Sequence, residues 1–120
     1  MTPAEFVGVM FLSRDVAHSK HLNTHSYAEH MALGEFYSSI VGVADSFAEA
    51  YQGKHGLMGP ISVKYSDPAV SSVKFLKTQH DLLERERYSV VDSDCTTLQN
   101  LIDAVLEVYL SAIYKLRFLS

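Results

Sequence analysis

Apolar side chains recur along most of this chain at intervals of three and four residues, the period of one helix face. Phe6, Met10, Ser13, Ala17 and His21 form a first row, and Thr2-Pro3 followed by Glu5 supplies a cap, a first-turn proline and an early acid ahead of it. Leu33, Tyr37, Ile40, Ala44, Phe47 and Tyr51 form a second row, with Ser26 and Glu29 reading as its capping box and Gly53 as its stop. Val73, Leu76, His80 and Leu83 form a third, started by Asp67-Pro68. Leu98, Leu101, Val105, Val108 and Ala112, flanked by Ile102, Leu106, Tyr109 and Ile113, form a fourth, capped by Ser93 or Asp94. The expected helices span about 3–23, 27–52, 68–88 and 95–118.

Glycine and proline gather only between Gly53 and Pro68, which marks one long connection of roughly 14 residues in which Ile61, Val63 and Tyr65 read as a short extended piece. The other joins are short, so each half is an αα-hairpin. A middle segment of that length runs the length of a bundle, as in ferritin-like folds. The expected fold is therefore all-α: a four-helix, ferritin-like bundle of two αα-hairpins joined by a long crossover, one domain over residues 1–120.

Composition narrows the function. A net charge of −4 argues against direct nucleic-acid binding and against an anionic membrane surface, which both favour basic proteins. No apolar run approaches the ~20 residues of a bilayer span. The N-terminus has no basic stretch ahead of an apolar one, and the single Cys95 excludes a disulfide framework, so a reducing, cytoplasmic setting is expected. Cys95 stands near a helix start, which favours thiolate, with Asp92 and Asp94 opposing.

Four of the six histidines, His18, His21, His25 and His30, fall within 13 residues. On the second helix, with His30 at 0° and about 100° per residue, Asp45 lies near 60° and Glu49 near 100°. Gly34, Ser38 and Gly42 share that side, which is not the apolar stripe. Small residues at this spacing let another helix come close, so the second helix has a second face suited to a symmetric partner. Ligands from the first helix of one copy then meet ligands from the second helix of the other. His18 and His21 share a face at i, i+3. Imidazoles with carboxylates on facing helices are the ligand chemistry of bundle-borne iron, manganese and zinc sites. His80 reads as a core or interface histidine with a polar partner. Asp103 and Glu107 read as a solvated face, and Glu84 to Arg87 as an exposed charge run whose local pairs matter little.

The order His18 or His21, His30, Asp45, Glu49 resembles the Dps-type miniferritins. More closely, His21-Leu-Asn-Thr-His-Ser-Tyr-Ala-Glu-His30, Phe36-Tyr37, Asp45-Ser-Phe and Tyr51-Gln-Gly-Lys-His-Gly56 resemble a small, uncharacterised family encoded mainly by bacteriophages. The resemblance covers about residues 15–56. It implies a site between subunits of a homodimer or larger homo-oligomer, with His21 and His30 as ligands and Asp45 and Glu49 as the carboxylates. It further implies ferrous iron oxidised by peroxide or dioxygen, and the cytoplasm of a host cell. Two departures stand out: Leu22 replaces an aromatic residue, and Gly34 stands where miniferritins carry an acid, a gap that His18 fills as an alternative ligand.

Metal chemistry is then expected at His18, His21, His30, Asp45 and Glu49, with iron first and manganese or zinc also suited. No catalytic residue is assigned. The competing expectation is a non-catalytic helical scaffold, with a vestigial site, that binds a host or virion protein. A metal-dependent hydrolase is a third.

Overall fold

Each helix begins where a side chain can take up the free N–H groups of its first turn. Thr2 accepts from the Glu5 N–H at 3.1 Å while the Glu5 carboxylate accepts from the Thr2 N–H at 2.8 Å, a complete capping box. The computed structural model describes residues 1–120 and contains four helices and no strand: α1 (Pro3–Asn23), α2 (Tyr27–His55), α3 (Ser72–Val90) and α4 (Thr96–Phe118). At α2 the box is half made. Ser26 accepts from the Glu29 N–H, but the Ser26 N–H turns back to the Thr24 hydroxyl.

Three boundaries differ from expectation. α2 runs through Gly53 to His55 and stops at Gly56, whose φ of +91° is the conformation that glycine tolerates. α3 starts at Ser72, capped by Ser71, and not at Asp67-Pro68. The Asp67 carboxylate is spent on Lys20, at 3.1 Å, and on the Ser19 hydroxyl, and the Pro68 carbonyl also accepts from Lys20. α4 is capped by the backbone of Cys95 with no side-chain cap, in place of Ser93 or Asp94.

α1 and α4 each pack on both α2 and α3, so α1/α4 and α2/α3 are the diagonals of a square. Contacts at the ends make all neighbours antiparallel. Lys20 in the last turn of α1 reaches the Val70 carbonyl just before α3. Lys54 near the end of α2 meets Cys95 before α4, and Lys115 near the end of α4 pairs with Glu35 at 2.8 Å. The segment after α2 climbs along α1. A side chain at Gly8 would stand 3.1 Å from the Ser62 carbonyl, so Gly8 lets the crossover lie on the helix. Ile61 and Val63 tuck partly under it, without forming a strand, and Tyr65 is exposed. With 29 residues at about 1.5 Å each, α2 spans the full 44 Å long axis.

Phe6, Phe36, Phe47, Leu33, Leu76, Leu98 and Tyr109 fill the interior. The Tyr109 hydroxyl crosses the diagonal to donate to Ser13, at 2.7 Å, and Ser13 donates to the Val9 carbonyl of its own helix. Burial pushes the Tyr109 hydroxyl far above its ordinary pKa, so it stays a donor.

Candidate metal centre

The join between α1 and α2 is three residues long, and it forces the last turn of α1 against the first turn of α2. His21 and His30 face each other there. The His21 Nδ1 lies 2.6 Å from the His30 carbonyl, and the His30 Nδ1 lies 2.9 Å from the His21 carbonyl. A carbonyl can only accept, so both Nδ1 atoms carry hydrogen and donate, which in the neutral rings leaves the lone pair on both Nε2 atoms. This is the tautomer that a metal ligand held by a backbone carbonyl adopts. The rings stack with centroids 3.7 Å apart and planes 18° apart.

Neighbouring rings extend the cluster. Tyr37 presents itself edge-on to His21 at 5.2 Å and lies flat on His18 at 4.2 Å, and Tyr27 flanks His30 at 6.3 Å. Gly34 is the floor. A Cβ there would stand 3.0 Å from Cε1 and 3.2 Å from Nδ1 of His21. The small residue at 34 thus serves a histidine of its own chain, where a partner helix was expected, and any side chain at this position would crowd the His21 ring. An open recess of about 530 Å³ adjoins the pair, bordered by His21, His30, Gly34 and Ser38 with Tyr27 and Met31 at its rim.

The carboxylates are elsewhere. Asp45 and Glu49 share an exposed side of α2, about 22 and 28 Å along the axis from His30. Neither enters an ion pair. No group of three or more His, Cys, Asp or Glu side chains within the chain could hold an ion. The structure therefore brings His21 and His30 into contact at one end of α2, with the His18 ring 6.1 Å from His21 and stacked on Tyr37, and leaves Asp45 and Glu49 free near the other. Between them Ser38 and Gly42 are exposed, and nothing stands within 4 Å of a Cβ built on Gly42. This strip is uncovered, not buried. The donor types fit a borderline divalent ion, but only if two copies complete the set.

Two arrangements escaped the sequence reading. Arg87 is buried, not part of an exposed run. It donates to the Gln99 side chain at 2.8 Å, the Gln99 carbonyl at 2.9 Å and the Asp103 carboxylate at 2.7 Å, so Asp103 is not merely solvated. The Cys95 thiol is held below its ordinary pKa, first by the Leu98 N–H and then by Lys54 at 3.1 Å, which outweigh Asp92. His55 ends α2, exposed, against the Tyr51 ring. His80 is a core histidine with a polar partner, as expected, bonded to Asp81 at 2.9 Å.

The model of a family of unknown function, DUF5856, matches residues 21–116. The chain belongs to this family. The match begins at His21 and takes in His30, Asp45 and Glu49, while His18 precedes it. A 14.6 kDa uncharacterized protein from the mobD-ri intergenic region of Enterobacteria phage T4 is 26% identical over 116 residues, covering 93% of this chain and 85% of the phage protein. A small, phage-related helical family is thus the setting for this DUF5856 chain. No solved structure matches it. No helix is long and apolar enough to cross a membrane.

Proposed function

We propose that this DUF5856 chain is a ferritin-like metal-binding protein that pairs through the outer face of α2 and takes ferrous iron, its substrate, between two copies. The observation that carries the reading is the division of α2. Imidazoles with uncommitted Nε2 atoms stand at one end, two unpaired carboxylates near the other, and an uncovered strip of small residues between. Two such helices laid antiparallel about a two-fold axis at Ser38–Ser39 bring His30 of each copy level with the Asp45–Glu49 pair of the other. Ser38 and Gly42 are the open small residues of that strip, and Gly34 at its histidine end lies under the His21 ring. His21 and His30, with His18 as the alternative, would face Asp45 and Glu49 across the interface. Iron suits that set, as do manganese and zinc. The antiparallel bundle with a crossover along its length supports the ferritin-like assignment, and oxidation by peroxide or dioxygen is what the miniferritin resemblance adds. The T4 relative supports a phage-related origin, and the cytoplasm of an infected cell is the setting this reading takes.

The test is an anaerobic Fe(II) titration of metal-stripped protein followed by oxygen or peroxide. Saturable binding of about one or two ions per site, then Fe(III) absorbance rising faster than in buffer, is expected. No saturable binding, or a monomer at micromolar concentration, overturns the reading. A second reading has its own observation. The reciprocal imidazole–carbonyl bonds staple the α1–α2 hairpin whether or not metal binds, which suits a non-catalytic scaffold for a host or virion protein with a vestigial site. That reading expects His21→Ala to weaken the fold while added metal leaves stability unchanged.

A further inference from the structure

Of the four charged side chains on α4, two are committed within the chain. Asp103 accepts from Arg87 at 2.7 Å, and Lys115 pairs with Glu35 at 2.8 Å. The other two, Glu107 and Arg117, are exposed, opposite in sign and in no ion pair. Leu110, Tyr114 and Phe118 follow each other at i, i+4 and i+8 on the same outer side, a row about 12 Å long. They are 52%, 52% and 64% exposed. The Tyr114 and Phe118 rings lie 5.9 Å apart, and the Arg117 guanidinium stands 5.1 Å over Phe118. Single exposed apolar side chains are ordinary, but three in one row make a contiguous patch, the mark of a surface that takes a partner. The outer face of neighbouring α3 is different. It exposes Lys74, Lys77, Glu84 and Arg85, with Tyr88 as its one large apolar side chain.

We propose that the outer face of α4 docks on the same face of a second copy, antiparallel, about a two-fold axis at the level of Ala112. The positions of the side chains select this occupant. Glu107 and Arg117 stand five residues to either side of 112, and Leu110 and Tyr114 stand two to either side. Antiparallel pairing therefore sets Leu110 level with Tyr114 of the other copy and Glu107 level with Arg117 of the other copy, each twice by symmetry. A parallel pairing sets like charges level and is disfavoured. One helix face of this length covers less than the roughly 800 Å² per partner of a standard interface, so the dimer is weak and concentration-dependent. This surface is separate from the exposed strip of α2, and its pairing stands without the metal reading. Where both pairings form, copies link into assemblies larger than a dimer.

Analytical ultracentrifugation of the full chain over about 1–300 μM tests the pairing, in a Ser38→Arg background that blocks the α2 strip. The Ser38→Arg chain should still self-associate. Adding Glu107→Arg or Arg117→Glu should weaken that association about tenfold or more, because each change sets two like-charge contacts across the axis. Combining the two reversals should restore it. All these side chains are exposed, so the fold is not at stake. A Ser38→Arg chain that stays monomeric throughout, single reversals without effect, or a double reversal that stays weak overturns the α4 pairing. Association that survives Ser38→Arg unchanged and yields to the charge reversals supports the α4 pairing and removes the α2 pairing, so the two failures are told apart.

Discussion

The two hairpins of this bundle are tied at their turns by the same device, a side chain that crosses to a backbone carbonyl of the other helix, yet the ties differ in what they leave over. At the α3–α4 turn the tie is Arg87, 8% exposed, whose guanidinium reaches the side chain and carbonyl of Gln99 and the carboxylate of Asp103. Gln99 in turn donates to the Val91 and Asp92 carbonyls, closing the turn. A guanidinium has donors only and no lone pair to offer a metal. At the α1–α2 turn the tie is a pair of imidazoles, each spending one nitrogen on a carbonyl and keeping the other. The first tie is saturated and can only hold the fold. The second holds the fold and retains ligand atoms beside an open recess. A polar cluster is thus a candidate site by what remains after its structural bonds are counted.

The largest expected effect is on the saturated tie. Arg87→Leu removes a buried donor set and leaves the Gln99 side-chain oxygen without its partner, while the exposed Asp103 carboxylate turns to solvent, at a cost of about 2–3 kcal/mol. Urea unfolding measures it, and metal binding by the folded fraction should be unchanged. A loss under about 1 kcal/mol would show that the two turns are not comparable in strength.

Next come the imidazoles. His21→Ala and His30→Ala should each cost about 1–2 kcal/mol, since each breaks both the stack and one or two modest hydrogen bonds. They touch the same pair of interactions, so the double variant should cost less than the sum, with a coupling of about 1 kcal/mol in a double-mutant cycle. Additive losses would mean that the reciprocal bonds contribute nothing jointly. Both single variants should also lose metal binding, which Arg87→Leu should not.

The sequence carried the four helices because their signal is local: a period near 3.6 and caps within a few residues of each start. It missed the start of α3 because Asp67-Pro68 reads as a cap only until Lys20, 47 positions earlier, claims the carboxylate. The Arg87 tie was legible in part. Leu76, His80, Leu83 and Arg87 continue one row at 4-3-4 spacing, and periodicity alone places Arg87 inside, but the mixed charges around it resemble a solvated helix end. Of the candidate site, the histidine cluster followed from proximity in the chain, since a short turn must bring His21 and His30 together. The role of Gly34 could not follow, because it depends on where a ring from another helix comes to rest.

The carboxylates mark the opposite extreme from Arg87. Asp45 and Glu49 are exposed and unpaired, so Asp45→Asn with Glu49→Gln should leave stability within about 0.5 kcal/mol of the parent. The same double variant should abolish metal binding if the two copies complete the site as proposed. Retained binding would confine the ligands to the histidine end and break the division of α2 on which the shared site depends.

The smallest effect concerns a histidine on the saturated side. His80 on α3 is buried and donates from Nδ1 to Asp81, while its Nε2 is buried without a partner and the Glu84 carboxylate stands 3.9 Å away. The hydrogen bond from His80, and then Lys77, hold the Asp81 carboxyl below its ordinary pKa of roughly 4. The folded chain therefore binds this proton less readily than the unfolded chain. Asp81 contributes stability above the unfolded value, and the contribution is lost as the pH falls through the folded one. With its side chain 47% exposed, solvent screening keeps the contribution well under about 1 kcal/mol. Asp81→Asn should thus lower the urea midpoint slightly at pH 7, less at pH 4, and not at all near pH 2. A difference that grew on acidification would reverse the sign and place the stabilising charge on another group. The contrast with the α1–α2 turn is then one of acceptors: Asp81 can be silenced by a proton, whereas the carbonyls that receive His21 and His30 cannot.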